Sequence, residues 1–255
     1  MDSTTVKALQ VLSALAESEE PRGVAELSRQ LGFSKSNTFR ILATLASQGF
    51  VRSVGDAGRY SLTLKIWELG VRVIDRHPVR RVARPHMKML FNQVDETILL
   101  SVLDKADVLY IEKIEGEHPV RASARVGWRA SAWRTASGKS LLAFQPEETV
   151  ACIAQAQAGA DAFQELLKEL REVRERGFAM SINGSRPGVN SVSAPVWGTD
   201  RIPVAALSVS GPAERFSHDR MLSLSTSVMN AATRLSESLG ASSPVYQAAS
   251  AASRG

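Results

Sequence analysis

The sequence of 255 residues predicts an α+β fold in two domains. Within the first 62 residues, three amphipathic helical segments are followed by a short hairpin, which is the order of a winged helix-turn-helix. From residue 85 onward, strand-like runs alternate with helical segments and end in one long helix. That order is typical of an antiparallel sheet with flanking helices.

Two short helices are predicted before the most informative segment of the chain. Apolar residues recur at helical spacing in Val6–Leu15, and Gly23–Leu31 is amphipathic. Gly32 and Phe33 then supply the tight turn that joins the two helices of a helix-turn-helix.

The third helix is predicted over Ser34–Gln48, where Ser34 can cap the first turn because its hydroxyl accepts a hydrogen bond from a free backbone amide. Four residues at helical spacing are expected to face the core: Phe39, Leu42, Leu45 and Ala46. Polar residues lie near the start of the helix, where a DNA-reading helix carries its contacts. The residues expected to contact DNA are Ser34, Lys35, Ser36, Asn37, Thr38 and Arg40, with Arg40 as the principal contact.

A basic hairpin follows this helix. Gly49 stands where a helix-ending glycine is expected, and a Gly-rich turn joins the β-prone runs Phe50–Val54 and Arg59–Leu62. Arg52 and Arg59 are expected to hold DNA phosphates, which gives affinity that depends on salt and not on sequence. Each element alone could be an ordinary polar helix or surface hairpin, but their order favours the winged helix-turn-helix.

An apolar helix is predicted over Leu64–Ile74. It is too hydrophobic for a free linker, so it needs a partner, and the same helix of a second subunit is the expected one. The basic run Arg76–Arg81 marks the predicted domain boundary and is interpreted either as a contact with the DNA backbone or as a solvated hinge. The predicted domains are residues 1–77, with a linker helix over 64–76, and residues 78–240, followed by a disordered Ala/Ser-rich tail over 241–255.

The second domain is predicted to mix strands and helices. Its strands are Thr97–Leu103, Val108–Ile114, Asn190–Trp197 and Val204–Ser210, of which the first two are expected to pair across a short turn. Its principal helices are Pro85–Val94, Ser137–Phe144, Asp161–Arg176 and Ser217–Leu239.

Composition limits the class of protein and its surroundings. Residues 1–88 hold 14 Lys and Arg against 8 Asp and Glu, whereas residues 89–255 hold 17 against 18. A basic N-terminal third fits a module that contacts DNA. The single cysteine excludes an internal disulfide framework. Since we find neither a secretion signal nor a membrane-spanning apolar run, we expect a cytoplasmic protein.

We find no catalytic or metal-binding pattern in the sequence. Trp133–Ser140 approaches a phosphate-binding loop, but Trp133 stands where that motif needs a glycine for the backbone to wrap the phosphates. The four histidines show no metal-ligand spacing. Cys152 falls in an apolar helix, Glu147–Ala158, where a buried small residue is expected rather than a nucleophile. We therefore expect no enzyme activity, no cofactor and no metal.

Serines alternate with apolar residues along the last predicted strand. Ser208 and Ser210 fall on one face of it, and Leu207 and Val209 fall on the other. The simplest interpretation is that the serines face water while the apolar residues face the core. A polar binding site on the serine face is the alternative.

The chain resembles the IclR family of bacterial transcription regulators from Thr4 to Leu239. The similarity is carried by segments in a fixed order: VKALQVLSAL, VAELSRQLGFSKSNTFRILATLASQGFV with GRYSL, VGWRASAWRTASGKSLLAF, RERGF with GVNSVSAPV, and VAALSVSGPAERF. The resemblance implies a winged helix-turn-helix that binds DNA, joined to a GAF-like effector-binding domain.

The resemblance also implies where a small-molecule effector binds. The implied contacts lie on the S-x-S-G-P strand, on the strand after R-G-F and at the start of a helix whose free amides would suit a carboxylate. These positions are Ala136, Ser137, Ser191, Ser208 and Ser210. The chain lacks the acidic cluster and the cysteine of members that bind oxo- or hydroxy-acids, so the effector's identity does not transfer. Trp128 and Trp133 are compatible with an aromatic or larger effector, but Trp is also common in cores and on dimer surfaces.

The sequence therefore predicts a sequence-specific DNA-binding transcriptional regulator, more often a repressor in this family, that responds to an organic acid or aromatic catabolite. A homodimer joined through Leu64–Ile74 would place its reading helices about 34 Å apart or a multiple of it, so a near-palindromic operator is expected. A dimer of dimers is also open, and no membrane contact is expected. A nucleoid-type DNA binder without an effector is the alternative. An enzyme with a DNA module would need a nucleophile or metal that we do not find.

Overall fold

The computed structural model describes residues 3–55, 58–157 and 160–241. It shows the predicted α+β fold, with a division of the chain between Asp75 and Arg76. The tail predicted to be disordered, 241–255, lies outside the described residues apart from Ala241, and so do residues 56 and 57 of the predicted hairpin turn. No helix in the described part combines the length and the apolar character needed to cross a membrane.

Three helices and a small sheet form the first unit, and a fourth helix follows them. The helices are α1 (Ser3–Ala16), α2 (Val24–Leu31), α3 (Lys35–Ser47) and α4 (Lys65–Asp75). The strands are β1 (Arg22–Gly23), β2 (Val51–Val54) and β3 (Arg59–Leu62), which pair antiparallel in the order β1-β3-β2. Strand β1 is absent from the sequence-based prediction, because two residues are too few to show an alternating pattern.

Helix α3 begins and ends as its sequence predicts. The Ser34 side chain accepts a hydrogen bond from the Asn37 backbone N–H at 3.3 Å, which confirms the cap. Gly49 adopts a φ of 73°, a left-handed conformation that favours glycine, and the Phe50 N–H closes the helix on the Leu45 carbonyl at 2.9 Å.

The buried face of α3 differs from the predicted one. It consists of Thr38, Ile41, Leu42 and Leu45, whereas Phe39 is 55% exposed. The assignment of Phe39 to the core is therefore wrong. Successive side chains of a helix point in directions about 100° apart. Because Thr38 and Leu42 face the core, Phe39 points away from it.

Thr38 links α2 to α3 inside the first unit. Its side chain is fully buried, accepts a hydrogen bond from the Ser28 hydroxyl at 3.0 Å and donates one to the Ser34 carbonyl at 3.1 Å. The expectation that Thr38 contacts DNA is corrected, because its hydroxyl points into the protein.

The second unit is built around one six-stranded sheet. Its helices are α5 (Pro78–Val94), α6 (Ala136–Leu142), α7 (Glu147–Gln157), α8 (Ala160–Arg176) and α9 (His218–Ser238). Its strands are β4 (Thr97–Asp104), β5 (Asp107–Ile114), β6 (Arg129–Ser131), β7 (Ala179–Ile182), β8 (Val189–Trp197) and β9 (Pro203–Pro212). They pair antiparallel in the order β6-β5-β4-β9-β8-β7, so the two strands that sequence patterns do not predict, β6 and β7, are the short edge strands.

Helix α5 begins at Pro78, seven residues before the predicted start. A proline suits the first helical turn, where its missing N–H costs no hydrogen bond. Pro85 lies inside the helix and is exposed, because Ala83 and Met87 on the opposite side are buried and hold the helix in place. The prediction of a helix start at Pro85 is therefore wrong.

The earlier start of α5 also changes where the basic charge belongs. Residues 76–88 carry five Lys and Arg and no Asp or Glu, and they lie in the second unit. Residues 1–75 hold nine Lys and Arg against eight Asp and Glu, so the first unit is close to neutral. Positive charge concentrates locally instead, because residues 34–62 hold four basic residues against one acidic residue.

Strand β9 lies at the centre of the sheet, and both of its faces are covered. Ser208 and Ser210 are 1% and 6% exposed, while Leu207 and Val209 are fully buried. The interpretation that these serines face water is therefore wrong. Helix α6 covers the serine face, where the Ser140 hydroxyl lies 3.2 Å from that of Ser193 on the neighbouring strand β8.

Replacing Thr38 with Val removes the hydroxyl and keeps the shape of the side chain, so the Ser28 hydroxyl is left without its buried acceptor. We expect the free energy of unfolding of the first unit to fall by about 1–3 kcal/mol, the usual cost of an unpaired buried polar group. Urea denaturation followed by circular dichroism measures this decrease.

Thr44→Val is the matched control. The Thr44 hydroxyl also bonds a carbonyl of α3, that of Arg40 at 3.0 Å, but the side chain is exposed. Its replacement is expected to change stability by no more than about 0.5 kcal/mol. Equal effects of the two substitutions would contradict the structural role of Thr38.

Candidate functional site

The first candidate surface is the outward face of α3. Lys35, Ser36 and Arg40 are exposed on it, and α3 contains no acidic residue. Ser34 is exposed just before the helix, with its hydroxyl engaged as the cap, and Asn37 is half-buried. This surface presents cations and short polar groups from the first two turns of a helix. It suits the edges of bases and the phosphates of a DNA groove.

The hairpin of β2 and β3 contributes one exposed arginine to the first unit. Arg52 is exposed, and its Nε lies 3.4 Å from the Ser61 hydroxyl across the hairpin. Because the Ser61 hydroxyl is neutral, it does not offset the positive charge of the Arg52 guanidinium. Arg52 thus lies at the surface as a cation, where the sequence predicts it.

Arg59 is engaged inside the first unit. Its Nε donates to the Pro21 carbonyl at 2.8 Å, and its guanidinium pairs with Glu26 at 3.3 Å. The Gly23 backbone N–H, Arg59 and Arg22 lower the pKa of Glu26, so this carboxylate stays charged near neutral pH. Arg59 thus fastens β3 to the start of α2, and its contact with a DNA phosphate stays a prediction.

Helix α4 is apolar and uncovered. None of its residues, all of which the structure describes, is buried. Trp67 and Val73 are 66% and 73% exposed, and Leu64 just before the helix is 75% exposed. Contiguous exposed apolar side chains of this kind are typical of interaction surfaces.

The second unit contains a cavity of about 170 Å³ on the serine face of the sheet. Strands β4, β5, β6 and β9 supply part of its wall, and the rest comes from the segments 122–128 and 184–189 and from Arg134. The lining residues are Leu99, Tyr110, Ala122, Ser123, Ala124, Trp128, Arg129, Ala130, Ser131, Arg134, Gly184, Ser185, Arg186, Val189 and Ser210.

The cavity carries positive charge. Three arginines line it, and no carboxylate is among the described residues of its wall. Arg129 is paired with Asp104 outside the wall. The Arg186 guanidinium lies 4.6 Å from the ring centre of Trp128, and its Nη1 donates to the Ser123 carbonyl at 3.4 Å. These two contacts of Arg186 leave donors of its five-donor fork for an anion.

Tyr110 adds a neutral donor to the cavity wall. Burial raises the pKa of its phenol, and the nearby Arg186 opposes that shift. The hydroxyl therefore keeps its proton at neutral pH and can donate a hydrogen bond to an anionic group.

Of the five positions implied for the effector, Ser210 alone is in the described wall of the cavity. Ser191 lies opposite Ser210, and Ser208, two residues before Ser210 on β9, lies opposite Ser193. The Ser208 hydroxyl donates to the Leu99 carbonyl at 3.4 Å, and Ala136 and Ser137 are buried at the start of α6. The two tryptophans separate: Trp128 lines the cavity, whereas Trp133 lines another groove, of about 510 Å³.

Gly138 explains the partial resemblance to a phosphate-binding loop. A Cβ at this position would lie 2.0 Å from the Ala132 carbonyl oxygen, so a side chain cannot fit without moving backbone. Thr135 caps α6, because its hydroxyl accepts a hydrogen bond from the Gly138 N–H at 3.0 Å. This glycine serves close packing inside the second unit.

Sequence patterns do not reveal most of the cavity wall. These wall residues come from three separate stretches of the chain, which contain Tyr110, the nearby pair Arg129 and Arg134, and Arg186. No local pattern joins them, because the sheet order alone brings them together. Cys152 is exposed, which corrects the prediction that it is buried.

Comparison with known proteins covers both units. Residues 4–55 match the model of the IclR helix-turn-helix domain, and residues 71–237 match that of the bacterial transcriptional regulator IclR C-terminal domain. The HTH-type transcriptional regulator KdgR of Escherichia coli is 33% identical over 93% of both chains. The transcriptional repressor IclR of the same organism is 28% identical over 92% of this chain and 89% of that one.

A solved structure agrees with these relatives. The crystal structure of the Thermotoga maritima IclR has a TM-score of 0.73 and 28% identity, and the match covers 94% of this chain and all of that one. The C-terminal family model spans more than half of the chain. These proteins are regulators and not enzymes. The chain therefore belongs to the IclR family of DNA-binding bacterial transcriptional regulators.

Proposed function

We propose that this regulator recognises an operator through α3 and that a small anionic effector in the cavity of the second unit controls that binding. The observation that carries the proposal is the cavity wall, where three arginines and a neutral tyrosine meet an aromatic side wall. The proposed DNA-binding domain is residues 1–77, and the proposed effector domain is residues 78–240. The division after Asp75 supports these limits.

The proposed DNA contacts are carried by α3 and the hairpin. Arg40 lies on the outward face, where a guanidinium can bind a guanine with two hydrogen bonds. Ser34, Lys35, Ser36 and Asn37 surround it from the first turn, and Arg52 lies on the hairpin. Four basic residues against one acidic residue over 34–62 support contact with a polyanion.

The proposed quaternary contact is α4 against α4 of a second subunit. The exposed apolar surface of Leu64, Trp67 and Val73 supports it, because burying such side chains stabilises association. A two-fold dimer places two identical reading helices on DNA, so we propose a near-palindromic operator.

The cavity suits a small carboxylate. Its volume of about 170 Å³ is comparable with the roughly 150 Å³ that hold one benzene ring in an apolar cavity. Trp128 and Leu99 offer an apolar wall, while Arg186 offers a planar fork of the kind that binds carboxylates. We therefore propose a short organic acid or an aromatic acid with one ring as the effector.

The effector acts by binding two states of the regulator unequally, since a ligand shifts an equilibrium only through its differential affinity. We propose repression as the resting activity, which the named repressors among the relatives support. A promoter–reporter fusion tests it: deleting the gene should raise expression, and lower expression would indicate an activator.

Replacing Arg40 with Ala removes the proposed guanine contact. We expect the preference for the cognate operator over a scrambled duplex to fall by about 1–3 kcal/mol per half-site. Arg40→Lys is the control, because it keeps the charge without the two-donor geometry, so it should retain nonspecific affinity and lose specificity. Fluorescence anisotropy on both duplexes measures the ratio. Wild-type specificity in Arg40→Ala would reject α3 as the reading helix.

Arg52 and Arg59 form a matched pair of hairpin arginines. Arg52→Ala should reduce the slope of log Kd against log salt by about 1 per half-site, because one phosphate of each half-site is then no longer neutralised. Arg59→Ala should leave that slope unchanged and lower thermal stability, because its guanidinium is bonded to Pro21 and Glu26. A salt titration of operator binding separates the two; a reduced slope for Arg59→Ala would restore it as a phosphate ligand.

A thermal-shift screen of the full chain against short organic acids and single-ring aromatic acids tests the effector site. A ligand at 100 times its Kd should stabilise the protein by about 2.7 kcal/mol. Arg186→Gln should abolish the shift, whereas Arg125→Gln should retain it. Both arginines stack on Trp128, Arg125 at 5.1 Å, but of the two only Arg186 lines the cavity.

Two outcomes would contradict the effector proposal. A hit that survives in Arg186→Gln and disappears in Arg125→Gln would place the ligand outside the cavity. A blank across the acids would favour a nucleoid-type DNA binder without an effector, and selection of the operator from random DNA would then show whether the binding is sequence-specific.

A further inference from the structure

We propose that Phe39 contacts the C5 methyl group of a thymine in each operator half-site and so determines the base accepted there. This inference rests on the proposed placement of α3 in the major groove. It assigns a specificity role to a residue that sequence periodicity predicts in the core.

Phe39 differs in its packing from Phe33 and Phe50, the other phenylalanines of the first unit. Phe33 and Phe50 pack against the hydrophobic cluster formed by α1, α2, α3 and β2, and lysine side chains cover their rings at 5.5 and 4.7 Å. Phe39 lies outside that cluster and is 55% exposed. Its exposure leaves apolar surface that a partner can bury with a gain in affinity.

The position of Phe39 on α3 indicates which partner covers it. Ser36 and Ala43, three residues before and four residues after it, lie along the same side of the helix, and Arg40 follows it directly. Lys35 and Arg40 give this face a positive charge with no acidic residue on the helix. A polyanion matches that charge, whereas a second copy of the same face would repel it.

The major groove offers one apolar group at its floor. Among the four bases, thymine alone presents a methyl group there, and phenylalanine is one of the side chains that contact it. An apolar side chain beside a cation on the reading face therefore fits a thymine next to the base that Arg40 contacts. The apolar surface of α4 lies on a different helix and is the better candidate for a second subunit.

Thymine-to-uracil replacement tests the proposal, because deoxyuridine removes the methyl group and keeps base pairing. After selection of the operator from random DNA, each thymine of a half-site is replaced in turn and the Kd is measured for wild type and for Phe39→Ala. One uracil should weaken wild-type binding about fourfold per half-site, the value of one buried methyl-sized group. The same uracil should leave Phe39→Ala unaffected, since the ring that touches the methyl group is already absent from the variant.

Leu9→Ala is the matched control. Leu9 is 60% exposed on α1, so its replacement removes a comparable apolar surface away from α3. The uracil penalty should persist in Leu9→Ala at its wild-type size. Phe39→Leu, which keeps an apolar side chain of different shape, should retain part of the penalty, and thermal melting of each variant verifies its fold.

Three results would overturn the proposal. The first is a half-site with no uracil-sensitive thymine, and the second is a penalty of equal size in wild type and Phe39→Ala. The third is a shift of Phe39→Ala toward monomers in sedimentation experiments, which would assign the ring to a subunit contact. Arg40→Ala distinguishes these from failure of the proposed function: if it loses specificity while Phe39→Ala shows no coupling, α3 still reads DNA.

Discussion

The rotation of α3 about its own axis is the constraint on which the DNA-binding half depends. Four buried residues, Thr38, Ile41, Leu42 and Leu45, set this rotation, and the bonds of Thr38 to Ser28 and Ser34 fix it from the polar side. Apolar burial alone tolerates small rotations, because it has no direction. Hydrogen bonds between buried hydroxyls do not tolerate such rotations, since a buried hydroxyl that loses its partner costs free energy. The outward residues of α3 follow from this inner face.

The second unit also contains buried hydroxyl groups, which belong to serines of its central strand. Strand β9 is buried on both faces, so Ser208 and Ser210 need partners inside the protein. Neighbouring serines on β8 and α6 bond each other where α6 lies close, as the Ser140–Ser193 contact shows. Where the cover is formed by loops instead, around Ser210, the same polar face becomes part of a cavity wall. This face of the sheet thus supplies both a packed layer and a cavity wall.

Charge is organised locally in this chain. The first unit is nearly neutral as a whole, yet four of its basic residues fall on α3 and the hairpin. Ion pairing then sorts similar arginines into different roles: Arg59 is bonded within the unit while Arg52 remains at the surface. In the cavity, Arg129 is paired with Asp104 while Arg186 stacks on an aromatic ring. Net charge does not show which arginines are paired, because pairing depends on which carboxylate each guanidinium can reach in the folded protein.

Local sequence patterns predict most of the helices and strands, the cap at Ser34, the glycine end at Gly49 and the family, although they place the start of α5 too late. These features depend on neighbours in the chain, so a short window carries them. Other features exist only in the folded molecule: Phe39 faces outward, Arg59 is engaged, and Tyr110 meets Arg186 at one cavity. They depend on contacts between distant segments. They also depend on which of two adjacent residues of α3 faces the core, and periodicity cannot resolve that choice.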